Sequence, residues 1–341
     1  MIIKILRCLS SIFQKLEKLP LAVSRELKLS IKDNYLTPSS ALVIWLYCHI
    51  QIVTNKNSLM RALAQLISSG RIQAGMVAFF GNIIPFISPA AVALITLTKG
   101  LSDGLVLSLY AITPLTIILI YATDANTVVT MLSIFTVFCV LIGSSIMRLR
   151  SSWQEVFVFI VVFSAISTMF VSVFFNHSLV ALENIIKEFF KDSQNFNDNL
   201  LIGRAFLLGV AGYVIALTSI VSVILGRWWQ AMLFNPGGFK LEFHQLRFSS
   251  LFSVTILIGM FFCEFFLEGY TSWSSLLSLP LMLGGIALLH YSVTLYQLSG
   301  FWLVGFYLAL LFLSPLSIML VGIGFLDSIF NIRPKLISHI K

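Results

Sequence analysis

Charged residues are scarce in this chain. Only 11% of its 341 residues are Asp, Glu, Lys or Arg, whereas 58% are hydrophobic. Ordinary soluble domains contain roughly 25% charged and 45–50% apolar residues. Too few polar side chains are therefore present to cover a water-facing surface. The composition argues against a soluble globular domain and favours a chain whose solvent is the hydrocarbon of a bilayer.

Cysteine is also rare, and the motifs of common enzymes are missing. The four cysteines form no C-x-x-C pair and have no histidine at metal-ligand spacing, so neither a disulfide framework nor a metal site is expected. The chain has no H-E-x-x-H, G-x-S-x-G, Walker or G-x-G-x-x-G motif. Gly143-Ser144-Ser145 lacks the closing glycine of a serine motif and is typical of close helix packing. We predict that the protein is not an enzyme and needs no cofactor.

What the chain does contain is long apolar runs. Windows with little or no charge cover residues 72–98, 104–123, 125–147, 156–182, 205–226, 248–267 and 269–326. The last window is 58 residues long, which as helix would measure about 87 Å and must cross a bilayer at least twice. The runs predict an all-α, polytopic membrane protein with about eight transmembrane helices, within a range of seven to nine. The lipid bilayer is its predicted partner.

The first 59 residues differ from the rest in charge. They contain eight Lys or Arg and three Asp or Glu, a net charge of +5 out of +8 for the whole chain. Residues 2–19 alternate apolar and basic side chains at helical spacing, which is typical of an amphipathic helix on an anionic membrane surface. We predict that residues 1–59 form a basic extension outside the core fold, with Met60 as the suspected natural start. Residues 60–341 form the predicted transmembrane bundle.

The other basic residues lie between or just beyond the apolar runs. This placement indicates membrane topology and argues against a nucleic-acid partner. By the positive-inside rule, the loops after the third and fifth runs are expected in the cytoplasm; their basic residues are Arg148, Arg150, Arg227, Lys240 and Arg247.

The first run creates a conflict with this topology. By simple counting, Arg71 at its start would face outward. Two prolines interrupt the run at 72–98, however, and a hairpin of two short segments would return Lys99 to the side of Arg71. A single span is the alternative. Pro315 leaves the same choice open in the last run.

Two ionisable residues within the apolar runs are candidates for lining a substrate site. A charge at the bilayer centre costs about 2.5–3.5 kcal/mol on translocon scales, so it needs a partner, a cavity or a route to the interface. Glu264 lies among four phenylalanines, and His290 lies deep in an apolar segment. The simpler alternatives are an interfacial position for Glu264 and a neutral imidazole bonded to a neighbouring helix for His290.

The segment after the fifth run is the densest polar feature. Its tryptophans and arginine have the composition of an interfacial belt, and Asn-Pro-Gly-Gly predicts a turn. We predict an interfacial loop that anchors the protein or contacts a partner, formed by Arg227, Trp228, Trp229, Asn235, Pro236 and Gly237.

Small residues line one face of the first run. Ala74, Ala78 and Gly81 form the kind of surface that lets helices approach closely. This face is a candidate for docking a membrane protein partner, although such spacing is frequent by chance in apolar helices.

Several patches resemble the YybS-like family of bacterial membrane proteins. The resemblance is carried by Lys99-Gly100-Leu101-Ser102-Asp103-Gly104, by Gly285-Ile286-Ala287-Leu288-Leu289-His290 and by Leu326-Asp327-Ser328-Ile329-Phe330-Asn331-Ile332-Arg333. The stretch from Arg227 to Phe239 is similar to a subset of that family. The resemblance begins at Met60 and implies a multi-pass protein of the bacterial inner membrane without a settled activity.

The chain is also distantly similar to substrate-capture subunits of energy-coupling-factor importers. In those proteins an A-x-x-x-A face on the first helix docks the coupling subunit, and Ala74 and Ala78 fit that pattern. Together these observations predict a bundle that binds a small solute or docks a transport partner. A membrane scaffold without transport activity and a lipid-handling enzyme are the alternatives.

Overall fold

A computed structural model describes residues 59–84, 86–121, 124–191 and 203–338 of the chain. Within these ranges the backbone is helical apart from turns and short connections, and it forms no strand. The predicted all-α architecture is therefore confirmed. The basic extension predicted for residues 1–59 lies almost wholly outside the described residues and stays a prediction.

The helices are numbered here in chain order. The first half contains α1 (residues 59–69), α2 (Arg71–Phe80), a 3-10 turn (Gly81–Ile83), α3 (Ile87–Lys99), α4 (Leu101–Ile120), α5 (Asp124–Arg150), α6 (Trp153–Phe174) and α7 (Asn176–Lys191). The second half contains α8 (Arg204–Phe234), α9 (Gly238–His244), α10 (Ser250–Phe265), α11 (Thr271–Leu295), α12 (Phe301–Phe312), α13 (Ser314–Phe330) and α14 (Ile332–Ser338).

Five of the described helices are long and apolar enough to cross a membrane, namely α4, α5, α6, α8 and α11. A sixth span results if the bent pair of α12 and α13 is counted as one, and α3 and α10 are shorter apolar helices. The chain is therefore a multi-pass membrane protein. The predicted count of eight spans is not confirmed, because the first apolar run forms two short helices, α10 has only 16 residues and the pair α12–α13 is bent.

The first apolar run forms the hairpin that its prolines allowed. Its helix breaks after α2, and Phe86 takes a left-handed conformation with φ 72° just before α3. The two arms are joined by the Ser88 hydroxyl, which donates a 2.6 Å hydrogen bond to the carbonyl of Ala78. At the open end, the Lys99 ammonium donates to the carbonyl of Ser68 at 3.3 Å. The hairpin thus begins and ends on the same side, with Lys99 beside Ser68, which resolves the conflict over Arg71.

Basic side chains bind the carbonyls of neighbouring helices at this end of the bundle. Arg148 donates to the carbonyls of Thr96 and Leu97 at the end of α3, at 3.3 and 3.1 Å. Cations are favourable at helix C-termini, where unpaired carbonyls carry partial negative charge. The end that carries Lys99, Arg148, Arg227, Arg247 and Arg333 is called the basic end below.

The second part of the last apolar run, formed by α12 and α13, also begins and ends at the basic end. Tyr307 of α12 contacts His290 near the end of α11. At the end of α13, Arg247 binds the carbonyls of Asp327 and Ser328 at 3.1 and 3.0 Å. Between these points the pair α12–α13 is bent by 116°. Pro315 lies in the first turn of α13, where a missing backbone N–H costs no helical hydrogen bond.

The opposite end of the bundle is called the distal end below. There α7 follows α6 as a separate amphipathic helix. Glu183 on α7 accepts a 3.0 Å hydrogen bond from Arg204 at the start of α8. This ion pair ties the surface helix to the bundle.

The interior is packed through small residues and aliphatic side chains. Residues 90–97 of α3 are all buried, so this short helix lies inside the bundle. A Cβ placed on Gly226 of α8 would lie 2.6 Å from the Cβ of Ala93, so the two helices approach at backbone distance. The pair α11 and α13 is equally close, because a Cβ on Gly285 would meet the carbonyl of Leu320 and a Cβ on Gly324 that of Leu281.

Candidate ligand-binding site

A large cavity lies between α8, α10, α11 and α13, with Glu264 on its wall. Its volume is about 820 Å³. Glu264 belongs to the last turn of α10, 14 residues beyond Ser250, whose hydroxyl binds the carbonyl of Ser328 at the basic end. At 1.5 Å per residue this separation is about 21 Å, which places Glu264 towards the distal end.

Most of the cavity wall is apolar. Its apolar lining residues are Phe206 and Val210 of α8, Leu257, Met260, Phe261 and Phe265 of α10, Met282 of α11, and Ile318 and Val321 of α13. Ligand sites in proteins are mostly apolar, with a small number of polar groups that orient the ligand. The cavity has this character.

Hydroxyl groups form one polar stripe on the wall. Thr271, Ser274, Ser275 and Ser278 of α11 all line the cavity. They stand at positions i, i+3, i+4 and i+7, which is the spacing of one helical face. The sequence carries this signal within the uncharged window 269–326, but single serines in an apolar run are easily assigned to helix packing.

Ser274 is the most buried residue of the stripe, with 9% of its surface exposed. It lines the cavity, so its hydroxyl can form a hydrogen bond with a ligand there.

His290, the other predicted lining residue, does not line this cavity. Its Nε2 lies 2.7 Å from the Tyr307 hydroxyl, and its ring meets Phe243 edge-on at a centroid distance of 5.5 Å. The structure therefore does not bring His290 and Glu264 together. The imidazole is bonded to a neighbouring helix, which was the simpler alternative for this residue.

The predicted docking face is covered by the chain itself. Ala74, Ala78 and Gly81 are all buried. The adjacent Gly75 lies against the ring of Tyr110 on α4, and Ser88 of α3 packs against Gly81. These small residues let α2 approach α3 and α4, so they do not present a free surface to a partner.

The predicted interfacial loop is divided between a helix and a turn. Arg227, Trp228 and Trp229 belong to α8, and Trp229 is fully buried. Asn235, Pro236 and Gly237 form the expected turn, in which Gly237 has φ 89°. Trp229 is therefore a core residue and not part of an interfacial belt.

Arg227 instead organises a polar pocket at the basic end. It binds Glu242 of α9 with an Nη2–Oε2 distance of 2.9 Å, and Trp153 donates to the other oxygen of Glu242 at 2.9 Å. Gln230 donates to the carbonyl of Leu97 at 3.2 Å. These side chains surround a space of about 300 Å³. Because they satisfy one another, the pocket serves mainly to join α3, α6, α8 and α9.

Comparison of the chain with family models, with curated proteins and with solved structures finds no match. The cavity must therefore be interpreted from its own geometry. Among the described residues, no group of three or more His, Cys, Asp and Glu side chains is placed to hold a metal ion.

Proposed function

We propose that this multi-pass membrane protein binds a small amphiphilic solute in the cavity between α8, α10, α11 and α13. The observation that carries the proposal is the cavity itself, with its apolar walls, its stripe of hydroxyls and a carboxylate. Its volume of about 820 Å³ falls in the range of roughly 300–1,000 Å³ that is usual for small-molecule sites.

Access from the bilayer suits such a ligand. Phe261 and Phe265 line the cavity and are also exposed on the outside of α10, where lipid would surround them. An amphiphile dissolved in the membrane can reach the site without crossing water. A coupling subunit is not part of the proposal, since the small-residue face at Ala74 and Ala78 is covered.

The resemblance to YybS-like proteins supports a place in the bacterial inner membrane, and we propose membership of that family on its motifs alone. The positive-inside rule then puts the basic end in the cytoplasm. The cavity, near the distal end, belongs to the outer half of the bilayer in this arrangement.

Filling the cavity tests the proposed function. Radiolabelled dodecanol is measured for binding to the full chain in lipid nanodiscs, with empty nanodiscs as background. Ser275→Phe places a ring in the cavity from an exposed position, and we expect it to abolish saturable binding. Ser278→Leu is the second, milder variant. Thr113→Phe adds the same ring to an exposed position on α4 and should leave binding unchanged. An absence of saturable binding to the unmodified chain contradicts the proposal.

A further inference from the structure

The carboxylate of Glu264 lies at a helix C-terminus and has no ion-pair partner among the described residues. It lies in the last turn of α10, and the helix dipole makes a negative charge unfavourable at a C-terminus. Glu268 follows one turn later in the sequence. Neither carboxylate forms an ion pair within the described part of the chain.

No described basic side chain forms an ion pair with Glu264. Arg204, at the same distal end, is bound to Glu183 at 3.0 Å. The other ion pairs among the described residues lie at the basic end; their arginines are Arg71, Arg150, Arg227 and Arg333. Within the described residues Glu264 therefore has no counterion, and a ligand in the cavity can supply one.

The cavity supplies the space for a molecule that carries this charge. It extends along α11 from Thr271 to Met282, a rise of about 17 Å. The apolar walls suit an alkyl chain, and burial of each methylene group contributes roughly 0.8 kcal/mol. The hydroxyl of Ser274, on the cavity wall, can accept a hydrogen bond from a head group that donates N–H.

We propose that the preferred occupant of the cavity is a single-chain amphiphile with an ammonium head group, bound through Glu264 and with its chain between α10, α11 and α13. This inference rests on the proposed function and names the class of its ligand. The ammonium neutralises the carboxylate at the end of α10, and its N–H groups provide donors for the cavity hydroxyls. A carboxylate head group would be repelled by Glu264, and an alcohol would leave its charge uncompensated.

The affinities of three probes of equal chain length test the inference. Dodecylamine, dodecanol and dodecanoate are each titrated against the full chain in nanodiscs of zwitterionic lipid at pH 7. We expect dodecylamine to bind about tenfold more tightly than dodecanol, a difference of about 1.4 kcal/mol, and dodecanoate to bind most weakly. Glu264→Gln should reduce the affinity for dodecylamine to that for dodecanol and leave dodecanol binding unchanged.

Glu268→Gln is the matched control, because Glu268 carries the same charge but does not line the cavity. It should keep most of the preference for the amine. Equal binding of amine and alcohol to the unmodified chain, or an undiminished preference in Glu264→Gln, overturns the inference. If Ser275→Phe still blocks both probes in that case, the proposed function stands and only the ligand class is wrong. If no probe binds saturably, the proposed function fails as well.

Discussion

Glu242 holds two long helices together at the basic end. One oxygen accepts from Trp153 at the start of α6, and the other accepts from Arg227 near the end of α8. Hydrogen bonds to a charged group contribute about 1.5–3 kcal/mol each when the group is shielded from water. The fixed position of α9 therefore depends on this carboxylate.

We expect Glu242→Gln to lower the free energy of unfolding by about 1–3 kcal/mol, because the ion pair is lost and Arg227 keeps a charge without a counterion. The measurement is equilibrium unfolding in mixed micelles. Glu155→Gln is the control, since Glu155 and Arg150 are exposed and 3.8 Å apart, and such pairs contribute about 0–1 kcal/mol. Equal effects of the two substitutions would contradict the role assigned to Glu242.

His244 gives the basic end a dependence on pH. Burial, with the nearby charges of Lys240, His290 and Arg333, lowers the pKa of His244. Its ring also meets Tyr291 edge-on. Because the unfolded chain binds the proton more readily, stability is expected to fall as pH drops below about 6.5, the ordinary value for histidine.

In His244→Gln this part of the pH dependence should disappear, while stability at pH 8 changes little. Unfolding midpoints at pH 5, 6, 7 and 8 for the two proteins provide the comparison. His290 remains in both proteins, so any dependence that persists in the variant belongs elsewhere. An unchanged profile would assign the effect to another group.

At the residue scale, the sequence identified important side chains more successfully than it predicted their roles. Trp229 was placed in an interfacial belt because tryptophan next to arginine is common at membrane interfaces. The chain has no helix breaker between Gly226 and Asn235, however. Helix α8 therefore continues to Phe234, and Trp229 lies in the core. Burial of one face of that last stretch depends on α3, which no local pattern reveals.

At the scale of helices, α11 and α13 approach each other at backbone distance. The backbones meet at Gly285 and Gly324, where a side chain on either residue would press on the carbonyl of the other helix. Gly→Ala at these positions forces the helices apart. Overpacking of this kind typically costs about 1–3 kcal/mol.

We therefore expect Gly285→Ala and Gly324→Ala each to lower the free energy of unfolding by that amount. The double substitution should lower it by less than the sum of the two effects, because both residues lie at the same contact between α11 and α13. Gly305→Ala on α12 is the control, since the space beside Gly305 is open. In that variant a better helix propensity should leave stability equal or slightly higher. Destabilisation by Gly305→Ala of the same size would contradict the packing described.

The breaks within the apolar runs were predictable, but their geometry was not. Prolines and Asn82 mark the interruption of the first run, and Pro315 marks that of the last. A kinked span and a hairpin both satisfy these signals. The choice is made by tertiary contacts, such as the bond from Asn82 to the carbonyl of Ala111 on α4 at 3.0 Å. Contacts of this range cannot be read from local sequence.

At the scale of the whole molecule, the two hairpins explain the charge distribution. The pairs α2–α3 and α12–α13 both begin and end at the basic end, and between them the chain crosses the bundle through α4, α5, α6, α8, α10 and α11. An even number of crossings keeps Arg71, Arg148, Arg247 and Arg333 on one side. Most described basic side chains then lie on one side, which is the distribution that the positive-inside rule describes, while Lys187 and Arg204 lie at the distal end.

The hairpin of α2 and α3 is the feature on which this topology depends, and cysteine labelling tests it most directly. Single cysteines are introduced into a version of the chain in which the native cysteines are replaced by serine, at the exposed positions Ser69, Ser102 and Lys240 and, at the distal end, at Tyr121 and Glu268. A membrane-impermeant maleimide is applied to sealed vesicles of known orientation. We expect Ser69→Cys, Ser102→Cys and Lys240→Cys to be labelled from the same side, and the two distal positions only from the other. Labelling of Ser69→Cys and Ser102→Cys from opposite sides would show that the first apolar run crosses the membrane and would contradict the arrangement described.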